Sequence, residues 1–449
     1  MRSGSQIRRS MPVRLPLRCT ERMLADHGSR RDGTRCRSSG GMTSWQRLAV
    51  LALLVTSATA PCGCGMGRAH GNGRGGDPAQ AGIPETRAAR VSRSVGPGKV
   101  VYNPGHSRGQ VPLEAVAVQP GAGQRFVFLY EWVRKHERAR LTRLDLADGK
   151  VQVLKDLGED RLDPYAVLVC ARNGRVALDR YGGTVLREPD GRWRPLDDGK
   201  GDNVPLAWSP DSRSLLYSSL SEADIQRQRW FTTMVATVIS AKGKLRQETL
   251  ATPDLPIRQA MWGADDSTIF ALVLSPTSIY DSSLTSIGWP SREVKTLLTG
   301  PLANLDVAEE SGTVLVPMAE GRQYGVWTVE PSGNPKRTPI IIPDVPMESR
   351  ISPNGRYLAA VLGGSWEDKI ARKLAGDGGL VIYDTVDGSE YHVSGTQGKR
   401  IAMVHWVLEG KALVFTIIPK GGHPGNSDTL PYQLWLVRMP WAGRPGSSR

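Results

Sequence analysis

Two similar stretches give the strongest indication of the fold: residues 207–217, Ala-Trp-Ser-Pro-Asp-Ser-Arg-Ser-Leu-Leu-Tyr, and residues 350–359, Arg-Ile-Ser-Pro-Asn-Gly-Arg-Tyr-Leu-Ala. In each, an apolar residue precedes a proline-containing turn, and a short apolar run follows it. Proline fixes its own φ before a reversal, and Gly, Asn and Asp readily adopt turn conformations. Each stretch therefore predicts two strands joined by a tight turn.

The same unit occurs seven times after residue 110, with turns at 120–123, 172–174, 210–212, 264–266, 310–312, 353–355 and 408–410. A second hairpin follows every copy but the last, so that a complete copy contains four strands. A spacing of about 40 to 55 residues is typical of a four-stranded blade. The sequence therefore predicts an all-β fold, a single β-propeller with seven four-stranded blades, with six and eight blades as alternatives.

The seventh copy lacks its fourth strand after residues 433–437. A spare strand-like segment, Lys-Val-Val-Tyr at residues 99–102, precedes the first copy. We expect this segment to complete the seventh blade, because a ring left open would expose unpaired strand edges.

Residues 208–217 and 352–358 resemble the WD-repeat-like propeller unit of the periplasmic protein TolB and its relatives. The resemblance extends over residues 98–441 and is clear in these two copies. It implies a rigid exported ring that is used for protein interactions in the cell envelope, or a non-catalytic partner of a hydrolase. It assigns no functional residue, because the shared motif is structural.

The N-terminal part of the 449-residue chain differs in composition from the predicted propeller. Residues 1–41 carry half of the net charge of +14 and lack apolar periodicity, which predicts a disordered basic segment. Residues 42–61 combine a short polar start with an apolar run and predict a secretory signal peptide. We suspect that Met42 is the true initiator and that residues 1–41 are not translated.

Cys62 and Cys64 directly follow the apolar run, where a lipoprotein cysteine would lie. Pro61 is unfavourable there, so lipidation at Cys62 or Cys64, secretion without lipid and an uncleaved anchor stay open. In each case the protein is expected in the periplasm or at the cell surface, with membrane contact only through the signal or a lipid. Residues 62–97 predict a flexible Gly/Arg-rich linker, and residues 442–449 a tail.

Long connections are concentrated on one rim of the predicted ring. Loops on a rigid scaffold often carry function, and Trp and Arg are favoured at binding hot spots. The alternative is that these loops are surface insertions without function. We predict a binding site on this rim, formed by Trp132, Arg134, His136, Arg229, Trp230, Trp366, Glu367, Asp368, His423 and Asp428.

The sequence contains no nucleophile elbow, no phosphate-binding loop and no His-x-x-x-His pair. We therefore favour a non-catalytic binding scaffold with an envelope protein or peptide as partner, and expect no cofactor, metal or nucleic acid. The enzymatic alternative is a glycan hydrolase or lyase with a site in the central channel. It stays open, because residues from different blades would converge there without leaving a local pattern, and fold alone does not determine function.

Overall fold

The computed structural model describes residues 92–102, 113–120, 124–133, 138–159, 167–180, 183–196, 202–220, 233–239, 245–249, 257–275, 281–321, 323–343, 346–362, 379–418 and 433–441. No helix in these ranges is long and apolar enough to cross a membrane. The predicted N-terminal segment, signal peptide and tail lie outside them, as do Cys62 and Cys64.

The described strands, β1 to β29, form seven sheets. The first four blades follow each other along the chain. Blade 1 contains β3 (Leu113–Pro120), β4 (Phe126–Val133), β5 (Arg138–Asp145) and β6 (Val151–Glu159). Blade 2 contains β7 (Leu168–Cys170), β8 (Val176–Arg180), β9 (Gly183–Arg187) and β10 (Trp193–Pro195). Blade 3 contains β11 (Asp202–Trp208), β12 (Ser214–Leu220), β13 (Thr233–Ile239) and β14 (Leu245–Thr249), and blade 4 contains β15 (Ile257–Trp262), β16 (Thr268–Leu274), β17 (Ser282–Gly288) and β18 (Val294–Gly300).

The last three blades include the two N-terminal strands. Blade 5 contains β19 (Asp306–Val307), β20 (Val314–Glu320), β21 (Gln323–Val329) and β22 (Pro335–Ile342). Blade 6 has five strands, β23 (Pro346–Ile351), β24 (Tyr357–Leu362), β25 (Gly379–Asp384), β26 (Glu390–Val393) and, on its outer edge, β1 (Ser92–Val95). Blade 7 contains β27 (Arg400–Val407), β28 (Ala412–Ile418), β29 (Gln433–Arg438) and, on its outer edge, β2 (Lys99–Tyr102).

The seven sheets are arranged as a closed ring. The first strand of each blade contacts the first strand of the next, and the series β3, β7, β11, β15, β19, β23 and β27 returns to β3. These seven strands surround the central channel. The predicted β-propeller is thus confirmed, and each predicted turn connects the first and second strands of one blade.

The hydrophobic core is divided among the contacts between blades. Seven clusters of buried residues each combine strands from two neighbouring blades, including the pair formed by blades 7 and 1. Every sheet is therefore covered on both faces, which explains the continuous apolar runs that follow the turns. No blade buries its apolar surface alone.

The N-terminal closing strand is confirmed. Strand β2 pairs antiparallel with β29, with Lys99 opposite Leu436 and Tyr102 opposite Leu434. Val101 and Tyr102 pack on the cluster between blades 7 and 1. The seventh blade therefore obtains its fourth strand from a segment that precedes the first blade in sequence.

Strand β1 differs from the prediction, which assigned residues 62–97 to a linker. Ser92–Val95 adds a fifth strand to blade 6 by pairing in parallel with β26. Val95 is 2% exposed and belongs to the cluster between blades 6 and 7. Because a single apolar side chain holds this strand in the core, its sequence lacks the run that indicates a strand.

The conserved geometry of the two quoted stretches comes from their serines. Ser352 Oγ accepts the Tyr357 N–H at 2.9 Å and donates to Asn354 Oδ1 at 2.7 Å. Ser209 forms the same two contacts, with the Ser214 N–H at 2.9 Å and with Asp211 at 2.6 Å. These side-chain hydrogen bonds stabilise the turn, which agrees with the interpretation of the motif as structural.

Candidate functional site: the central channel and the two faces of the ring

The two faces of the ring carry different connections. On the turn face, the turns between the first and second strands and between the third and fourth strands are uniformly short. On the loop face, the connections between second and third strands vary from two residues at 181–182 to the long segments 221–232, 363–378 and 419–432. The strand bounds thus confirm that elaboration is confined to one face.

The predicted rim site cannot be assembled from the described side chains. Trp132 was predicted in a loop but lies on β4, opposite Glu114 and Ala139, because β4 and β5 extend further than the sequence pattern indicates. The other nine predicted residues lie outside the described residues: Arg134, His136, Arg229, Trp230, Trp366, Glu367, Asp368, His423 and Asp428.

A cluster of charged side chains lies on first strands that line the channel, at blades 5 and 6. Arg350 on β23 lies between two carboxylates, with Nη1 3.7 Å from Asp306 Oδ1 and Nη2 3.3 Å from Glu348 Oε1. Asp306 is 6% exposed, whereas the Arg350 side chain is 30% exposed. We call Asp306, Glu348 and Arg350 the channel cluster.

The carboxylates of the channel cluster also bind backbone N–H groups. Asp306 Oδ2 accepts the Ile351 N–H at 2.7 Å, and Glu348 Oε2 accepts the Val404 N–H at 3.2 Å. Each bond runs from one blade to the first strand of the next blade. A first strand has one edge without a partner strand, and its buried N–H groups require acceptors. The channel cluster therefore links blades 5, 6 and 7 and provides hydrogen-bond acceptors for N–H groups on these edges.

Three neutral side chains also form hydrogen bonds with backbone groups of a neighbouring blade. Gln259 on β15 forms two bonds with the backbone of Leu305, which precedes blade 5, at 2.7 and 3.0 Å. Trp208 and Trp406, the apolar residues found before two of the turns, donate from Nε1 to the carbonyls of Val169 and Arg350 at 3.2 and 2.9 Å. The inner edges of several blades are thus closed by side chains of their neighbours.

The environment of the channel cluster shifts the pKa values of Asp306 and Arg350. Burial raises the pKa of Asp306 to about 6, although the nearby Arg350 and the Ile351 N–H oppose this rise. For Arg350, burial alone would lower the pKa, but Glu348 and Asp306 outweigh it and raise the pKa above its ordinary value. The channel therefore contains a carboxyl group that titrates close to neutral pH.

A contact across the ring narrows the turn-face mouth of the channel. Arg172, in the turn between β7 and β8, places Nη2 3.2 Å from the carbonyl oxygen and 3.4 Å from the carboxylate of Glu309. Glu309 lies in the turn between β19 and β20. Blades 2 and 5 are not neighbours, so this contact spans the mouth.

A second polar cluster lies at the seam between blades 7 and 1. The carboxylate of Glu131 is fully buried and accepts bonds from Tyr102 at 2.6 Å, from Arg140 at 2.9 Å and from Thr142. Burial and the Glu131 carboxylate both raise the pKa of Tyr102 above its ordinary value. Because Tyr102 lies on β2 and the other residues on β4 and β5, this cluster fixes the closing strand to blade 1.

Sequence reasoning did not find either cluster. Asp306, Glu348 and Arg350 lie on two blades, and Tyr102 and Glu131 on two others, so no local spacing connects them. One feature of the sequence could have indicated the channel cluster. Residues just before each predicted turn lie on a first strand, and first strands surround the channel. Among the described residues, no group of three or more His, Cys, Asp and Glu side chains is arranged to hold a metal ion.

Comparisons with known proteins provide evidence on the fold. No protein-family model and no curated protein matches the sequence. An oligogalacturonate lyase solved in complex with manganese has a TM-score of 0.54 and 10% identity, over 77% of this chain and 97% of that one. The Cps50 (Swd1) β-propeller domain of Myceliophteria thermophila has a TM-score of 0.50 and 14% identity, over 76% and 99% of the two chains.

A TolB candidate from Agrobacterium tumefaciens is also similar, with a TM-score of 0.38 and 13% identity, over 53% of this chain and 83% of that one. Similarity at these identities concerns the fold alone. The neighbours with TM-scores of 0.50 or more thus include a β-propeller domain and an oligogalacturonate lyase, in agreement with the predicted β-propeller fold.

Proposed function

We propose that this protein is a non-catalytic, exported β-propeller that binds an envelope protein or peptide with its loop face. The observation that carries the proposal is the difference between the faces. Short turns form one face, while the connections 221–232, 363–378 and 419–432 lie on the other. Binding residues are often found on loops that a rigid scaffold displays but does not need for its own fold.

The short connections of other blades support the view that the long connections serve recognition and not the fold. In blades 2 and 5, Arg180 is opposite Gly183 and Glu320 is opposite Gln323, so two residues suffice to join the second and third strands. In blade 6, Leu362 is opposite Gly379 in the same register, yet residues 363–378 lie between them. The pairing of Leu362 with Gly379 therefore does not require a connection of this length.

The channel chemistry also supports a binding protein. The carboxylates of Asp306 and Glu348 are bound to Arg350 and to backbone N–H groups, so most of their acceptor capacity serves the ring itself. A catalytic carboxylate must instead reach a substrate atom at hydrogen-bond distance. The channel cluster is accounted for by its contacts between blades.

We place the partner site on three sets of loop residues: Arg229 and Trp230; Trp366, Glu367 and Asp368; and His423 and Asp428. Trp132, Arg134 and His136 extend it at blade 1. The last two sets belong to the neighbouring blades 6 and 7. Export through residues 42–61, with a lipid on Cys62 or Cys64, would bring this surface to an envelope partner in the periplasm or at the cell surface.

The test replaces residues 363–378 by Asn-Gly, which matches the two-residue connections of blades 2 and 5. The intact and shortened proteins are used to capture partners from native cell envelopes. A matched control, Lys150→Gln with Lys411→Gln, alters the turn face only. We expect the shortened protein to lose a partner that both other proteins retain. Equal capture by all three folded proteins would contradict the proposal.

The enzymatic alternative rests on a separate observation. Asp306 has a pKa of about 6 and lies beside the partly exposed Arg350 in the channel, and propellers of similar fold include an oligogalacturonate lyase. Incubation with oligogalacturonate, followed by absorbance of unsaturated products, tests this function directly. Turnover that disappears in Asp306→Asn would favour the alternative over the binding scaffold.

A further inference from the structure

Blades 1 and 2 hold a group of cations that carboxylates do not neutralise. Arg143 lies on β5, Lys155 on β6 and Arg187 on β9. Lys155 is paired with Leu141, and Arg143 follows Leu141 by two positions, so both cations share its face of blade 1. Leu141 belongs to the cluster between blades 1 and 2. Arg143 and Lys155 therefore point toward blade 2.

Arg187 faces these two cations from blade 2. It shares a face of that blade with Val185 and with Trp193, its partner on β10, and both belong to the same cluster. Trp193 also contacts the Lys155 ammonium, at 4.7 Å from its ring centre, so its strand neighbour Arg187 lies beside Lys155. Burial and, after it, repulsion from Arg143 lower the pKa of Arg187, although Asp190 opposes this. We call Arg143, Lys155 and Arg187 the basic cleft.

Neutral groups hold the cations in place. Arg143 donates to Gln152 Oε1 at 2.7 Å, and its guanidinium carbon lies 4.6 Å from the centre of the Phe126 ring. The Lys155 ammonium lies 4.7 Å from the centre of the Trp193 ring. Aromatic faces and amides orient a cation without cancelling its charge. In the part of the chain that the structure describes, no carboxylate forms an ion pair with any member of the basic cleft.

Two carboxylates that attract the arginines of the basic cleft, Asp145 and Asp190, are already bound to other arginines. Asp145 accepts two bonds from Arg125, at 3.0 and 2.6 Å, and Asp190 accepts one from Arg192 at 2.7 Å. Each of these two pairs is neutral overall and leaves the three cations of the basic cleft without a carboxylate partner. The cleft therefore retains a surplus of positive charge that the fold does not use.

We propose that the basic cleft is a binding site for a phosphate group. The planar guanidinium groups of Arg143 and Arg187 present paired N–H donors that match phosphate oxygens, and Lys155 adds a third charge. Partial burial strengthens the attraction relative to a fully exposed surface. Arg143 and Arg187 lie near the turn-face ends of β5 and β9, so this site is separate from the loop face and independent of the function proposed above.

The test is titration calorimetry of the full chain with inorganic phosphate, in chloride buffer at constant ionic strength. Arg143→Gln with Arg187→Gln removes the two guanidinium groups. The control, Lys150→Gln with Arg192→Gln, removes the same charge from neighbouring cations that are bound to carboxylates. We expect the first variant to weaken phosphate binding about tenfold or more and the control to change it less than about twofold.

Three results would overturn the proposal: no phosphate binding by the wild-type protein, unchanged binding by Arg143→Gln with Arg187→Gln, or equal weakening in the control. Equal weakening would show general attraction to the basic surface. Circular dichroism checks that the variants fold. Because Lys155 is exposed, Lys155→Gln provides a second variant that should not disturb folding. Weakened phosphate binding by this variant supports the site, and unchanged binding contradicts it.

A second arm identifies the source of the phosphate group. Phosphatidylcholine vesicles with and without phosphatidic acid are sedimented with the wild-type protein and with Arg143→Gln, Arg187→Gln. Co-sedimentation that requires both phosphatidic acid and the two arginines supports a lipid headgroup as the ligand. Binding of inorganic phosphate without vesicle binding supports a soluble phosphate compound as the ligand.

Discussion

The structure stabilises two regions of the ring in different ways: the inner edges of the first strands along the channel, and the seam between blades 7 and 1. Along the channel, single side chains such as Asp306 and Glu348 bind isolated N–H groups of the neighbouring blade. At the outer seam, a complete strand, β2, pairs with β29, and the buried Glu131 ties it to blade 1. An inner strand already has one partner strand and needs only local acceptors. The outer edge of blade 7 would otherwise lack a strand, so we expect the seam to contribute more to stability than any inner contact.

Removal of residues 1–104 should have the largest effect, because it deletes β1 and β2 and exposes the edge of β29. An unpaired strand edge promotes association with other chains. We expect aggregation or loss of the folded monomer in size-exclusion chromatography. Removal of residues 1–91 leaves both strands and should preserve a monomer. A monomer of unchanged melting temperature after the longer truncation would show that the seam is unimportant.

Arg140→Gln should have the next largest effect, since it leaves the buried Glu131 without its cation. Removing one partner of a buried pair costs about 3 kcal/mol. The matched control lies two residues away on the same strand: Arg138 pairs with Asp156, and the two side chains are 49% and 58% exposed. Arg138→Gln should therefore cost less than about 1 kcal/mol. Urea unfolding of both variants measures the difference, and similar losses would argue against the seam cluster.

The sequence predicted the seam better than the channel. The closing strand was found because residues 99–102 form a short apolar run next to a seventh copy that lacks a strand. The turns were found because Gly355, Gly174 and similar residues adopt positive φ, which few other residues do. Strand β1 was missed because only Val95 enters the core. The channel cluster was missed because strands far apart in sequence bring its residues together, and the rim residues remain predictions.

Asp306→Asn tests the inner edge through its pH dependence. The folded-state pKa of Asp306, about 6, is above the ordinary value near 4, so the folded protein binds this proton more tightly. The stability of the wild-type protein relative to Asp306→Asn should therefore increase as pH falls from 6 to 4, by roughly 2 kcal/mol. Thermal unfolding at several pH values measures this change.

Asp145→Asn gives the opposite trend as a control. Its partner Arg125 lowers the pKa of Asp145, so the stability that Asp145 provides is lost as pH falls below its ordinary pKa. The wild-type advantage over Asp145→Asn should then decrease toward low pH. A flat profile for Asp306→Asn between pH 4 and 6 would contradict the burial of this carboxyl group.

Trp406→Phe should have the smallest effect, because it removes one hydrogen bond at an inner edge, from Nε1 to the Arg350 carbonyl. Trp262 occupies the equivalent position of blade 4, and its buried Nε1 has no partner among the described groups. Trp262→Phe loses similar packing without losing a bond. We expect Trp406→Phe to be less stable than Trp262→Phe by about 1 kcal/mol in urea unfolding. Equal values would show that the inner bond contributes nothing.

The origin of β2 also constrains when the protein becomes complete. Strand β2 leaves the ribosome more than three hundred residues before its partner β29. Six blades can assemble as the chain emerges, but the seventh must wait until β29 has been synthesised. During that interval the early segment needs protection from incorrect pairing, since exposed strands of unfinished chains aggregate readily.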